Sequence, residues 1–300
     1  MSIARARNKG RLYVVATPIG NLKDITLRAL EILREADLIL CEDTRTTRKL
    51  LTHYGISGKR LLSLYKDNEP KRLPRVLESL DKGLQVALVS EAGTPGISDP
   101  GALVVAEARK AGFPVVPIPG PSALTAALSL SGIDLSKGFL FLGFLPRRKK
   151  ERQKLLSEIR NLNRPLMFFE APHRLKAALS DILESFGDQE ILLFRELTKI
   201  HEEVSSLRVS EALELFRKRE PRGEFVILIK APEKENLTLD QSKIRSLLEE
   251  KINQGMSLKE AVKAVSEEWS LSKKEVYALA VRSGLSARNL SISSKKAESS

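Results

Sequence analysis

The sequence holds one cysteine, Cys41, so no disulfide can form within the chain and no cysteine cluster can bind a metal. Its three histidines, His53, His173 and His201, lie far apart and without metal-ligand spacing, so no metal is expected. No apolar run approaches the roughly 18–20 residues of a membrane span, and no membrane partner is expected. The opening residues are polar and basic, and the apolar run Leu12–Ala16 is too short for a signal-peptide core, which points to a cytoplasmic location. Aromatic residues make up 5% of the chain, which argues against single-strand stacking on many aromatic platforms. No two of the 17 glycines are separated by one residue, so the dinucleotide fingerprint cannot exist. The one Gly-Lys pair, Gly58-Lys59, is followed by Arg60, which excludes a Walker A loop, and HExxH is missing.

Positive charge is in excess. Fifty Lys and Arg stand against 38 Asp and Glu, a formal net charge of +12. Such a balance favours a polyanionic partner, and nucleic acid is the commonest one in a cytoplasm. Hydrophobic residues at 42% and charged residues at 29% are ordinary for a globular protein, and 300 residues suggest two domains with a small appendage.

Short β-branched runs alternate with helical periods. Leu12–Ala16, Leu38–Cys41, Leu84–Ser90 and Val115–Ile118 read as strands, with helices between them and after Pro121. The pattern restarts with strands at Phe139–Leu142, Pro165–Phe169, Ile191–Phe194 and Phe225–Ile229. This alternation predicts an α/β architecture with largely parallel strands, and room for antiparallel pairing near the end of the second half. After a charged linker the signal is purely helical. Ile244, Leu247, Leu248 and Ile252 share one helical face, and Ser257–Glu260 and Ser272–Glu275 are two capping boxes around Trp269. The expected domains are residues 11–120, 121–232 and a helix-turn-helix-like bundle over 237–285, with a disordered tail at 286–300.

One loop stands out, Ser90-Glu-Ala-Gly-Thr-Pro-Gly-Ile-Ser-Asp-Pro-Gly101, between the strongest strand and a helix. Its small residues let a ligand approach the backbone, and its prolines fix the path. It contains no Lys or Arg, so a cationic ligand suits it better than a triphosphate. A second turn, Pro117–Ser122, follows the next strand, and six of the 14 prolines fall between Pro95 and Pro121.

Val14–Leu22, Cys41–Thr47, Ser90–Gly101, Pro119–Ala123, Gly143–Arg147, Phe169–Arg174, Arg195–Lys199 and Gly223–Phe225 occur in that order. Together they resemble the tetrapyrrole-methylase superfamily, in its branch of ribosomal RNA small subunit (cytidine-2′-O)-methyltransferases. The resemblance covers residues 11 to about 285. It implies a class III methyltransferase fold, two α/β domains with S-adenosylmethionine in the cleft between them, plus the helical bundle. It also implies ribosomal RNA, in the small subunit, as partner, and a homodimer is expected. The implied cofactor contacts are Pro18, Ala92, Gly93, Thr94, Ile97, Ser98, Ser122, Ala123, Phe169, Leu197, Glu224 and Phe225.

A neutral 2′-hydroxyl is a poor nucleophile, so a base or a charge-stabilising cation should assist it. Asp43, Glu91, Glu170 and Lys199 are the candidates. Asp43 could equally cap the helix that begins near Thr44. Arg45, Arg48 and the run Arg147, Arg148, Lys149 and Lys150, extended by Arg152 and Lys154, are candidate RNA contacts. Two alternatives share parts of this pattern: a porphyrinoid methyltransferase, which has no use for the charge or the bundle, and a non-catalytic RNA-binding assembly factor, which has no use for the loop.

Overall fold

The computed structural model describes residues 10–162, 164–230, 241–268 and 273–285. The chain divides into two compact units, Met1–Pro232 and Glu233–Ser300.

The first half of the larger unit is a five-stranded sheet, β1 (Arg11–Val15), β2 (Leu38–Cys41), β3 (Arg60–Ser63), β4 (Gln85–Val89) and β5 (Val115–Ile118), in the order β3-β2-β4-β1-β5. Every pairing is parallel. Parallel strands need crossovers, and α1 (Leu27–Glu35), α2 (Thr44–His53), α3 (Glu69–Asp81) and α4 (Ala102–Lys110) supply them. The helices bury both faces of the sheet, which is why its central strands are continuous apolar runs such as Leu38-Ile-Leu-Cys41, buried at all four positions.

The second sheet contains β6 (Leu140–Phe144), β7 (Leu166–Glu170), β8 (Glu190–Arg195), β9 (Glu203–Arg208) and β10 (Phe225–Ile229), in the order β6-β7-β10-β8-β9. Only β6 and β7 are parallel, so the antiparallel pairing expected near the end of this half extends over most of the sheet. One face packs on α6 (Lys149–Ile159), α7 (Pro172–Phe186) and α8 (Val209–Lys218). The other is covered by α5 (Ala123–Leu130), the helix that leaves the first sheet.

Four elements are additional to those read from the sequence. β3 is a four-residue edge strand, and β9 is an edge strand of alternating exposure, so neither carries a buried apolar run. In α3, Pro70 lies in the first turn, where its missing N–H costs nothing, and Pro74 lies inside the helix; together they hide the period. α8 follows β9 without a break.

The smaller unit contains α9 (Gln241–Asn253), α10 (Leu258–Glu268) and α11 (Lys273–Arg282). Ile244, Leu248, Val262, Val265, Val276 and Ala280 form its own core. The Ser257–Glu260 capping box is present: the Ser257 N–H donates to Glu260 Oε2 at 2.9 Å, and the Glu260 N–H donates to Ser257 Oγ at 3.3 Å. Trp269, Ser272 and the tail 286–300 lie outside the described residues.

Candidate active site

Loops at the carboxyl ends of four parallel strands converge on one cavity of about 490 Å³, within the usual range for small-molecule sites. The loop after β1 contributes Ile19, that after β2 Glu42, that after β4 Glu91 to Thr94 and Ile97 to Asp99, and that after β5 Ser122 and Ala123. This is the end of an open α/β sheet at which ligands bind. The second half supplies the opposite wall: Phe144, Phe169, Glu170, His173, Phe194, Leu197 and Glu224 to Val226 among others.

The loop after β4 is held by its own backbone. Thr17 and Gly93 exchange two backbone hydrogen bonds of 2.8 and 2.9 Å, and Ser90 Oγ donates to Gly93 O at 3.0 Å. Gly93 sits at φ +84°, and a Cβ there would approach Ile19 Cγ2 to 3.3 Å, so the turn needs glycine. The far end is fixed from α3, where buried Glu69 accepts the Val104 N–H at 3.0 Å and caps α4 in place of a side chain from Gly101.

The charges in the cavity are unevenly satisfied. Glu42, Glu91 and Asp99 have no side-chain hydrogen bond or ion pair among the described residues, and Glu42 Oε1 is buried without a partner. Burial, then the charge of Glu91, raises the Glu42 carboxyl above its ordinary value. Burial, followed by the charges of Glu42 and Glu91, pushes Asp99 up to about 7. Across the cavity, Glu170 Oε1 accepts the Ala171 N–H at 2.9 Å and pairs with Arg174 Nε at 3.1 Å, while Oε2 is buried without a partner. Burial outweighs those partners and raises Glu170.

Among the described residues no Lys or Arg lines the cavity. S-adenosylmethionine carries a sulfonium, an ammonium and a carboxylate on an adenosine body, a net positive charge. A pocket of unpaired carboxylates with an aromatic wall fits that charge pattern, and the bare oxygens of Glu42 and Glu170 are acceptors for donors that a ligand brings. Among the described residues no group of three or more His, Cys, Asp or Glu is arranged to hold a metal ion.

The residues singled out from the sequence divide clearly. Glu91, Ala92, Gly93, Thr94, Ile97, Ser98, Ser122, Ala123, Phe169, Glu170, Leu197, Glu224 and Phe225 all line the cavity. Pro18 is buried beside it, next to the lining residue Ile19. Asp43 is not in the lining. Its Oδ1 accepts the Arg45 N–H at 2.7 Å as the N-cap of α2, and the Arg45 guanidinium and that N–H hold its carboxyl below the ordinary value. Lys199 also lies outside the lining, bonded to Glu196 at 2.8 Å and Glu224 at 3.1 Å. Burial lowers its ammonium, but those two bonds outweigh it and leave the value raised.

Arg48, Arg147, Arg148, Lys149 and Lys150 are exposed, as is Arg45 beside Asp43. Arg152 is not part of that surface. It is 5% exposed and bonds Asp181 at 2.6 Å through Nε, and Asp181 is itself buried. The lining also includes Glu42, Asp99, Phe144 and His173, each beside or within a motif noted above.

A sequence model of the tetrapyrrole (corrin/porphyrin) methylases matches residues 11–213. The chain belongs to that family. Among curated methylases, a ribosomal RNA small subunit methyltransferase I of Thermotoga maritima is 50% identical over 75% of this chain and all of its own length. Proteins of the same name from Halalkalibacterium halodurans and Bacillus subtilis are 41% and 40% identical, over 90% and 92% of this chain and 94% and 96% of theirs. Solved methylases share the fold at low identity. A diphthine synthase superposes with TM-score 0.59 at 18% identity, over 74% of this chain and 90% of its own. A cobalt precorrin-4 methyltransferase gives 0.55 at 18%, over 73% and 94%.

Proposed function

We propose that this methylase transfers the methyl group of S-adenosylmethionine to the 2′-hydroxyl of a cytidine in small-subunit ribosomal RNA. The observation that carries the reading is the opposition of charge at one site. Among the described residues the cavity is lined by carboxylates and no Lys or Arg, while the chain leaving the lining residue Phe144 runs at once into exposed Arg147, Arg148, Lys149 and Lys150. The first suits a cationic cofactor and the second an RNA backbone. The names of relatives at 40–50% identity support the substrate, whereas the cobalt precorrin-4 enzyme shares only the fold.

The bound cofactor would supply an electrophilic methyl group. Asp99, with a value of about 7, is suited to accept the proton of the hydroxyl, since a general base works best near the ambient pH. Glu91 and Glu170 line the same space and are the other candidates. Asp43, as a helix cap, and Lys199, in its ion pairs, serve more naturally to position the two walls. Arg45 and Arg48 on α2 would extend the RNA contact. The reading includes a cytoplasmic location, a homodimer as the working form, and domains over 11–120, 121–232 and 237–285; sedimentation equilibrium checks the dimer.

The test incubates labelled S-adenosylmethionine with unmodified small subunits and, in parallel, with their naked RNA. Label on the ribose of one cytidine supports the reading. Label on a base, or none on either substrate, overturns it.

A further inference from the structure

Phe144 is 52% exposed although it lines the cavity. A local irregularity places it there. β6 pairs with β7 at Phe141↔Met167 and then at Phe144↔Phe169, so three steps on β6 match two on β7. The extra residue is a bulge, with Gly143 at φ +62°. In a regular strand Phe144 would face away from Phe141, because side chains alternate. The bulge turns it to the same side, and both rings meet Phe169 edge-on, at centroid distances of 5.0 Å for Phe141 and 5.7 Å for Phe144. A Cβ on Gly143 would lie 2.8 Å from Ser98 Oγ in the loop after β4, so the bulge sits where the two walls meet.

The backbone just beyond Phe144 is clamped. Arg174 Nη2 donates to Leu145 O and Pro146 O, and Arg152 Nη1 donates to Pro146 O and Arg147 O at 3.1 and 3.3 Å. Glu170 and Asp181 fix those two guanidiniums in turn. The ring is therefore a preorganised apolar surface at a cavity mouth, and the exposed cation of Arg147, without an ion pair among the described residues, follows three residues later. Three residues span at most about 10 Å, so a charge and a flat face are offered close together.

Resting on the reading that the substrate is RNA, we propose that the exposed ring of Phe144 is a stacking platform for a nucleobase lifted out of the RNA, with Arg147 on an adjoining phosphate. RNA is read mainly through unstacked bases laid on aromatic side chains, and one platform needs no aromatic-rich composition. The bulge orients the platform, and the arginine clamp spares it the cost of ordering on binding.

The test uses the full chain and methylation kinetics on small-subunit RNA. Phe144→Ala should raise the KM for RNA about tenfold or more, Phe144→Tyr should restore it, and calorimetry should show a smaller change in affinity for S-adenosylmethionine than in KM. Independently, Phe144→Trp in a Trp269→Phe background should lose tryptophan fluorescence when oligocytidylate is added. An unchanged KM in Phe144→Ala, or absent quenching, overturns the platform. Weakened cofactor binding with an unchanged KM also overturns it and makes the ring a cofactor cover. If the wild-type protein transfers no label to RNA, it is the underlying reading that fails.

Discussion

The two α/β halves of the larger unit treat their carboxylates in opposite ways. In the second half each is tied through at least one oxygen: Asp181 to Arg152, Glu170 through Oε1 to Arg174 and the Ala171 N–H, Glu196 to Lys199 and the Glu224 N–H. In the first half, half-buried Glu42 and Asp99 and exposed Glu91 face the cavity without partners among the described residues; burial, then the charge of Glu91, raises Glu42, and burial, then the charges of Glu42 and Glu91, raises Asp99. A buried charge that is paired holds structure together, whereas one left unpaired costs stability until a ligand compensates it. The second half is thus built as a support and the first as a receptor for positive charge.

The largest effect should come from breaking the support. Asp181→Ala leaves Arg152 buried and uncompensated, and should cost about 3–5 kcal/mol, read by urea denaturation. It should also loosen the turn carrying Arg147, because Arg152 would no longer be fixed. A loss below about 1 kcal/mol would mean that the pair only decorates the core.

Next is the exposed charge on the same half. Reversing Arg147, Arg148, Lys149 and Lys150 to Glu should weaken RNA binding and lower the magnitude of the salt slope by about one for each lost phosphate contact. Cofactor affinity should stay as it was. An unchanged slope would return this stretch to ordinary solvated surface.

On the receptor side the sign should invert. Asp99 has a folded value of about 7, raised above that of an unfolded chain, so the ligand-free protein should lose stability as pH rises from about 4 to about 7. Asp99→Asn should shrink that loss, leaving the part due to the raised Glu42 and Glu170, and make the ligand-free protein more stable at pH 8. In the wild type, affinity for S-adenosylmethionine should fall as pH drops through about 7, and in Asp99→Asn this dependence should weaken. Melting curves and calorimetry across pH check both halves of the expectation. Stabilisation by Asp181→Ala, or destabilisation by Asp99→Asn at pH 8, would erase the contrast between the halves.

The smallest effect on the cavity should come from removing the helical unit. A chain ending at Pro232 should bind S-adenosylmethionine as the full chain does, because α9 to α11 have their own core. The Thermotoga relative is matched over its whole length by 75% of this chain, so about a quarter of this chain has no counterpart in it. Any change should appear in the RNA concentration needed for half-maximal rate.

What could be read beforehand follows a physical line. Strands buried on both faces, such as β2 and β10, show continuous apolar runs, and the Gly- and Pro-rich loop after β4 advertises its own shape. Properties that depend on neighbours from distant elements do not show. Glu42 and Asp99 are ordinary acids in the sequence, and only the convergence of the loops after β2 and β4 gives them perturbed protonation. Arg152 sits in a basic run that reads as solvated surface, yet helical spacing rotates it inward onto Asp181 of α7. The orientation of Phe144 turns on one extra residue in β6, which no period in the sequence reports.

The helix α5 has a consequence for anyone who would take the molecule apart. Its first residue, Ala123, and its cap, Ser122, complete the cavity of the first half, while Leu124, Ala127 and Leu128 pack against Met167, Phe194 and Leu228 of the second sheet. The segment that joins the halves is therefore an integral part of both. A fragment-complementation pair split before Ser122 would strip the first fragment of two residues that line the site. A pair split near Gly132 would instead leave α5 on that fragment and bare an apolar face of the second sheet in the other. Neither cut is expected to yield two self-sufficient pieces, because α5 completes the cavity of one half and covers a sheet face of the other.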